Sequence, residues 1–259
     1  MSSQLSNVMK EQLYKYIDKK TVAEEMEILR PLFDTQQERS IIPRKDEFLV
    51  EYFESKEGFH LLMYPFEGRY VHEGMAALLA RRISMILPIS FSIAMNDYGF
   101  ELLSDKLIDV EGIIQGELFS TKDLAADITA SINAVEMAAR QFRDIAKISG
   151  LIFQGYPGQS KKEKHLQSSA KMIFEVFRDY EPENLLYQQT YDEVMTFQLE
   201  EARLRNVLDK IRDQHIIISR PQKATPFAFP IMVDRLREKM TSEKLSDRIA
   251  KMKLELEKA

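Results

Sequence analysis

Residues 48–64, FLVEYFESKEGFHLLMY, decide the class of fold. Phe48, Val50 and Tyr52 alternate along a first run, Phe59 to Tyr64 form a second apolar run, and Ser55-Lys56-Glu57-Gly58 between them reads as a turn, so the stretch predicts a β-hairpin. Upstream, Val22, Met26, Leu29 and Phe33 keep helical spacing, with Pro31 beginning or kinking the second half and Ile41-Ile42-Pro43 ending it. Downstream, Val71, Met75, Leu78, Leu79, Ile83 and Ile86 trace one face of a helix that Pro88 stops. Ile89 to Met95 and Phe100 to Leu103 then read as two further strands joined by Asn96-Asp97-Tyr98-Gly99, where Gly99 is expected to supply the positive φ of a tight turn.

From Asp109 onward the pattern turns helical. Leu124, Ile128, Ile132, Val135, Phe142 and Ile145 mark one long amphipathic helix starting near Ser120 and closed by Gly150. After the Gln154 to Gln159 loop, Ser160 and Glu163 have the spacing of a capping box. Glu181-Pro182 separates that helix from a longer one, Glu183 to about Gln214. His215 to Ser219 is a β-branched run expected to return to the earlier sheet, Thr225-Pro226 reads as an N-cap followed by proline, and Thr241-Ser242-Glu243 starts a final charged helix. The expected architecture is α+β: a small antiparallel sheet or partial barrel in the first half, packed with a helical bundle, and mostly helical overall. The expected divisions are an N-terminal segment 1–20, an α+β subdomain 21–108, and a helical subdomain 109–259 with a short strand near 215–219.

The 259 residues are 44% hydrophobic and 30% charged, enough for a core in one domain or two packed subdomains. With no cysteine, disulfides, thiolate-bound metals and thiol catalysis are excluded. No apolar run approaches the roughly 20 residues of a membrane span, and the first residues hold no signal-peptide core, so a soluble cytoplasmic chain without a membrane partner is expected. The net charge of −5 argues against a surface that is basic throughout, but charge is segregated. Arg140, Arg143, Lys147, Lys161, Lys162, Lys164 and Lys171 face only Asp144 and Glu163 between positions 137 and 171, which leaves that stretch at +5 and the rest at −10.

Most catalytic chemistry has no support in the residues. No glycine-rich turn precedes a Lys-Ser or Lys-Thr pair, so there is no P-loop, and Asp192-Glu193-Val194-Met195 is an acidic box only superficially. His72-Glu73 lacks the second histidine one turn on that a zinc protease helix requires, since position 76 is alanine. His60, His72, His165 and His215 are scattered, no G-x-S-x-G elbow occurs, and acid pairs are too common among 41 acids to single out. Two polar segments survive. Tyr64 to Gly74 sets aromatics, glycines, Arg69 and His72 at a strand-to-helix junction, which is either an anion-binding helix start or a tight turn with Arg69 paired to a neighbour. Gln154 to Lys164 offers Tyr156 for stacking and Lys161, Lys162 and Lys164 for phosphates, or is a solvated helix connection.

Five phrases carry a further signal: YPFEGRYVHEGMAALLARRIS (64–84), SIAMNDYGFELLS (92–104), QFRDIAKISGLIFQGYPGQ (141–159), LEEARLRNVLDKI (199–211) and TPFAFPIMVDRLREKMTSEKLSDRIAKM (225–252). Together they resemble the C-terminal region of the large-helicase-related (Lhr) superfamily 2 proteins, nearest the ligase-associated DNA-damage-response DEXH-box branch. The resemblance runs from about Val22 to the end.

The resemblance implies a parent that couples ATP hydrolysis to 3′-to-5′ movement on single-stranded DNA in repair. With neither P-loop nor DEXH box, this chain is expected to be a non-catalytic accessory domain, and ATP and magnesium would bind the absent motor domains. The implied partners are single-stranded DNA, the motor and winged-helix domains, and a DNA ligase or nuclease. Positions matching family motifs that would touch DNA are Arg69, His72, Arg81, Arg82, Asn96 and Tyr98, joined by Tyr156, Lys161, Lys162 and Lys164 around the GYPGQ motif. Arg140, Arg143 and Lys147 extend the basic stretch. The competing expectation is an interaction domain that docks on helicase or repair partners and touches no DNA.

Overall fold

A computed structural model describes residues 3–18, 20, 23–129, 132–153, 155–156, 159–160, 163–194, 196, 201–238 and 245–257. In chain order these form α1 (Ser3–Ile17), α2 (Glu24–Ile28), α3 (Arg30–Arg39), β1 (Glu47–Ser55), β2 (Gly58–Met63), α4 (Arg69–Ile86), β3 (Ser92–Met95), β4 (Phe100–Ser104) and α5 (Val110–Ile114). There follow α6 (Leu124–Thr129), α7 (Ile132–Ile148), β5 (Gly155–Tyr156), β6 (Gln159–Ser160), α8 (Glu163–Tyr180) and α9 (Leu185–Glu193). The chain ends with α10 (Glu201–Asp213), β7 (His215–Ser219), α11 (Ala228–Glu238) and α12 (Leu245–Glu257). Contacts divide it into two compact units, Met1–Lys122 with Arg203–Ala259, and Asp123–Ala202. The first unit thus takes back the chain after the second.

The expected hairpin is present, with Val50 opposite Met63 and Ser55 opposite Gly58. It is the centre of an open sheet ordered β3-β4-β2-β1-β7. Three pairings are antiparallel as expected. The late strand β7 does return to the sheet, but it lies parallel to β1, so the sheet is mixed rather than purely antiparallel. A parallel neighbour needs a long crossover, and the second unit together with α10 lies in that connection.

Phe48 to Phe53 are all buried rather than alternating in and out, because helices cover both faces. On one face Leu49, Phe53, Leu62 and Ala94 pack with Leu13 of α1, Phe33 of α3, and Ala228, Ile231 and Met232 of α11. On the other, Val71, Met75, Leu78, Leu79 and Ile83 of the predicted α4 stripe are buried, whereas Ile86 at its end is exposed. Each of these side chains contributes about 1.5–3 kcal/mol by leaving water.

Acids stand in the first face and specify which helices cover it. Glu51 accepts hydrogen bonds from Gln36 Nε2 (2.9 Å), Tyr64 Oη (2.6 Å) and Thr225 Oγ1 (2.7 Å). Thr225 Oγ1 also accepts the Ala228 N–H at 3.1 Å, which makes it the helix cap the sequence predicts. Glu101 holds Arg235 Nε at 2.8 Å and His60 Nδ1 at 2.5 Å, while Arg235 Nη2 reaches Glu57 at 2.5 Å. A buried carboxylate without donors is costly, so α3 and α11 can seat only where these donors meet the acids.

In the second unit α7, α8 and α9 pack around Phe142 and Phe174, whose rings lie 5.7 Å apart, with Tyr187 5.2 Å from Phe174. The single helix expected from Ser120 to Gly150 is described as α6 and α7, and Gly150 closes α7 with φ 76°. The helix expected from Glu183 to Gln214 is described as α9 and α10. The capping box at Ser160 and Glu163 and the helix start at Thr241 to Glu243 lie outside the described residues and side chains. Among the described residues no helix is long and apolar enough to cross a membrane.

Candidate nucleic-acid interface

The Tyr64 to Gly74 motif forms the connection from β2 to α4. Phe66 adopts a left-handed backbone, φ 57°, and Gly68 has φ 92° just before the helix, a conformation that favours glycine. The turn between β3 and β4 packs against this connection. The Phe66 N–H donates to the Tyr98 carbonyl at 3.1 Å, and the Arg69 N–H donates to Asp97 Oδ1 at 3.1 Å. Asn96 Oδ1 accepts the N–H groups of Tyr98 (2.8 Å) and Gly99 (3.1 Å), an Asx turn. Gly99 does not have a positive φ, contrary to expectation. Its need for glycine is steric, since a Cβ there would fall on the Met63 carbonyl oxygen.

His72 ties the two loops from inside. Its Nε2 accepts the Glu67 N–H at 3.0 Å, which leaves Nδ1–H to donate to the Asn96 carbonyl at 2.7 Å. The ring is fully buried, and burial lowers its pKa to about 4, so it is neutral. Both nitrogens are committed within the fold, and in this geometry His72 is a brace rather than a surface group. Glu67 is fixed in turn by Lys10 Nζ at 2.7 Å and by Arg203 Nη2, tying α1 and α10 to the motif. Burial lowers the Lys10 pKa to about 8 despite its pairing with Glu67.

The two bonded loops present Arg69, Tyr70 and Tyr98 to solvent, the tyrosines 58% and 45% exposed. Tyr98 leans edge-on against Phe66, with 6.3 Å between ring centroids, so its ring is held from beneath. A guanidinium beside two exposed rings, one of them supported, is a combination suited to a phosphate and adjacent bases. Tyr70 is not among the residues the sequence singles out. Its only signal there is its place beside Arg69, because exposure is set by how α4 docks.

Residues 42–228 match the DEAD/H associated family model. The chain belongs to the DEAD/H-associated family. It is similar to the ATP-dependent helicase Lhr-Core of Methanocaldococcus jannaschii, at 26% identity over 96% of this chain and 29% of that protein. It is also similar to Lhr-Core protein 2 of Thermococcus barophilus, at 25% identity over 78% of this chain and 24% of that protein. In fold it matches the Mycobacterium smegmatis helicase Lhr, solved bound to single-stranded DNA and AMP-PNP, with TM-score 0.67, 21% identity, and coverage of 87% of this chain and 29% of that one. The DEAD/H-associated chain spans under a third of the length of each of these relatives.

Within the first unit, the remaining candidates on α4 stand apart from the paired loops. Arg82 lies 13 residues beyond Arg69 on α4, about 20 Å along the helix. Its Nη1 donates to the carbonyls of Leu118 (2.8 Å) and Ser120 (2.7 Å), clamping the segment after α5. Arg81 beside it is half-buried. Arg140, Arg143 and Lys147 are in the second unit on α7, where Asp144 lies 3.3 Å from Arg143 Nε and 3.4 Å from Lys147 Nζ. Arg140 is the most exposed of the three, 3.7 Å from Glu136. The side chains of Tyr156 and Lys164, and all of Lys161 and Lys162, lie outside what the structure describes. Asp192 and Glu193 fall on α9, where Glu193 accepts from Gln141 (2.7 Å) and Gln189 (3.0 Å). Among the described residues no three His, Asp or Glu side chains are grouped to hold a metal ion.

Proposed function

We propose that this accessory domain is non-catalytic, contributes a stretch of single-stranded DNA contact to an Lhr-type ATP-dependent helicase acting 3′ to 5′ in DNA repair, and braces its motor domains. The observation that carries the reading is the pair of hydrogen-bonded motif turns that hold Arg69, Tyr70 and Tyr98 together at the surface. Arg69 contacts a phosphate without sequence preference, and a tyrosine stacks on a base. Arg140, Arg143 and Lys147 supply a second cationic face on the other unit. ATP and magnesium belong to the motor domains of the parent. Support for bracing comes from α8, where Met172, Val176 and Tyr180 form an exposed apolar stripe at four-residue spacing, an area suited to a protein partner.

The test is fluorescence anisotropy of a labelled oligo(dT) strand of about twenty nucleotides, titrated with the whole chain at low and physiological salt. Saturable, salt-sensitive binding is expected, weakened about tenfold in Arg69→Ala/Tyr98→Ala, since one base stack is worth about 1–3 kcal/mol. Binding that the double variant leaves unchanged refutes the assignment of these loops. Absence of binding at low salt refutes DNA contact and leaves the docking role, with a ligase, a nuclease or the motor domains as partner.

A further inference from the structure

Three neighbouring strands of the first unit carry a hydrogen-bonded row of side chains that the DNA reading leaves unused. Ser55, the last residue of β1, bonds through Oγ to His60 Nε2 of β2 at 2.6 Å, and His60 Nδ1 bonds to Glu101 Oε1 of β4 at 2.5 Å. A carboxylate only accepts, so Glu101 takes the Nδ1–H and Nε2 of the neutral ring accepts the Ser55 hydroxyl. Hydroxyl, imidazole and carboxylate thus stand in the order of a nucleophile, its base and the acid that orients the base. No sequence motif marks the row, because base and acid come from different strands, 41 positions apart. The imidazole is fully buried and its plane is fixed by Phe53, stacked at 4.7 Å with 13° between the rings. Glu101 is fixed by Arg235 Nε at 2.8 Å, and Arg235 by Glu57 at 2.5 Å. Two carboxylates against one guanidinium leave a net charge of about −1 around the ring, which favours the imidazolium that forms when His60 takes the serine proton.

Ser55 is half-buried and lines a groove of about 670 Å³ between the hairpin tip, the segment before α11, and helices α11 and α12. That volume is in the range of small-molecule sites. Phe53, Ala224, Met232, Leu236 and Met252 give the groove an apolar floor, and methionine adapts to the shape of an aliphatic chain. From the row and the groove together we infer that Ser55 is an acyl-accepting nucleophile and that its donor is an aliphatic carboxylic ester. Ser55 Oγ attacks the carbonyl carbon and passes its proton to His60 Nε2. The bond from that carbon to the alcohol oxygen breaks, the departing oxygen takes the proton from His60, and the acyl group remains on Ser55 with its chain on the groove floor. The modification is stoichiometric, with this chain as the acceptor. His60 is the base, and Glu101, which acts through His60, is a positioning residue.

The probe is p-nitrophenyl hexanoate, incubated with the whole chain and followed by mass spectrometry of the intact protein and of its peptides. The expected result is one acyl group on Ser55, added roughly tenfold faster than from p-nitrophenyl acetate, whose short chain gains little from the floor. His60→Asn, which keeps an N–H for Glu101 but removes the base, is expected to slow acylation of Ser55 about a hundredfold or more while circular dichroism shows a folded protein. A second variant holds the test should His60→Asn not fold. The chain has no cysteine, so Ser55→Cys introduces a single thiol beside the imidazole. It is expected to react with iodoacetamide at neutral pH about tenfold or more faster than Ser40→Cys, because a neighbouring imidazole draws the thiol toward its thiolate. Ser40 is also half-buried, but its hydroxyl partner is Ser219 at 2.8 Å. Acyl groups found on lysines with Ser55 unmodified overturn the inference, as do an undiminished rate in folded His60→Asn or equal rates for the two thiols. Equal rates for the two esters overturn the assignment of the acyl chain to the groove.

Discussion

Replacing His72 by alanine tests whether a buried neutral imidazole holds the two candidate loops. The substitution leaves the Glu67 N–H and the Asn96 carbonyl without their partner inside the fold. An unmet buried polar group costs about 1–3 kcal/mol, and the packing beside Phe100, 6.2 Å from ring to ring, is lost as well. A loss of roughly 3–5 kcal/mol at neutral pH is expected. The pH dependence makes the prediction specific. The folded pKa is about 4 against 6.5 in the unfolded chain, so the unfolded state binds more protons in this window and stability falls as pH drops from 6.5 toward 4. The interval between these two values corresponds to about 3 kcal/mol in total. The alanine variant lacks this titration, while the remaining acids and histidines largely cancel in the comparison. Urea unfolding of both proteins at steps from pH 7.5 to 4 should therefore show the difference between them shrinking by about 3 kcal/mol. A difference that stays constant with pH would refute the argument that His72 is held neutral by burial.

Arg82→Met should lower stability by about 2–4 kcal/mol, because two carbonyls lose a charged donor, and it should leave oligo(dT) affinity unchanged in anisotropy. Gly99→Ala should cost about 1–3 kcal/mol in urea unfolding and weaken oligo(dT) binding, since the new methyl meets the Met63 backbone and moves Tyr98. Glu51→Gln should cost about 2–4 kcal/mol in the same assay, because an amide presents donors where Tyr64 and Thr225 already donate. Lys10 should titrate near pH 8 when its methylated amine is followed by NMR, and Glu67→Gln, which removes the charge that raises its pKa, should move the midpoint lower.

Local pattern was enough for the hairpin, the buried stripe of α4, the cap at Thr225 and the β character of 215–219, because periodicity and turn chemistry act over neighbouring residues. The motif phrases likewise pointed to the family, and Arg69, Asn96 and Tyr98 stood out in them before any geometry. Tertiary structure alone decided where those residues sit and what they touch. His72 and Tyr98 look equally functional in sequence, yet one is sealed between two loops and the other faces solvent, because exposure depends on where the β3–β4 turn meets the start of α4. That Arg82 holds two carbonyls more than thirty residues later was not legible in its motif. The direction of β7 was not legible either, since parallel and antiparallel partners share one local pattern and the entry path of the chain selects between them. The buried acids Glu51 and Glu101 show the same limit. Each is an ordinary charged residue in the sequence, and only the donors brought from α3, the Thr225 cap and α11 make its burial tolerable.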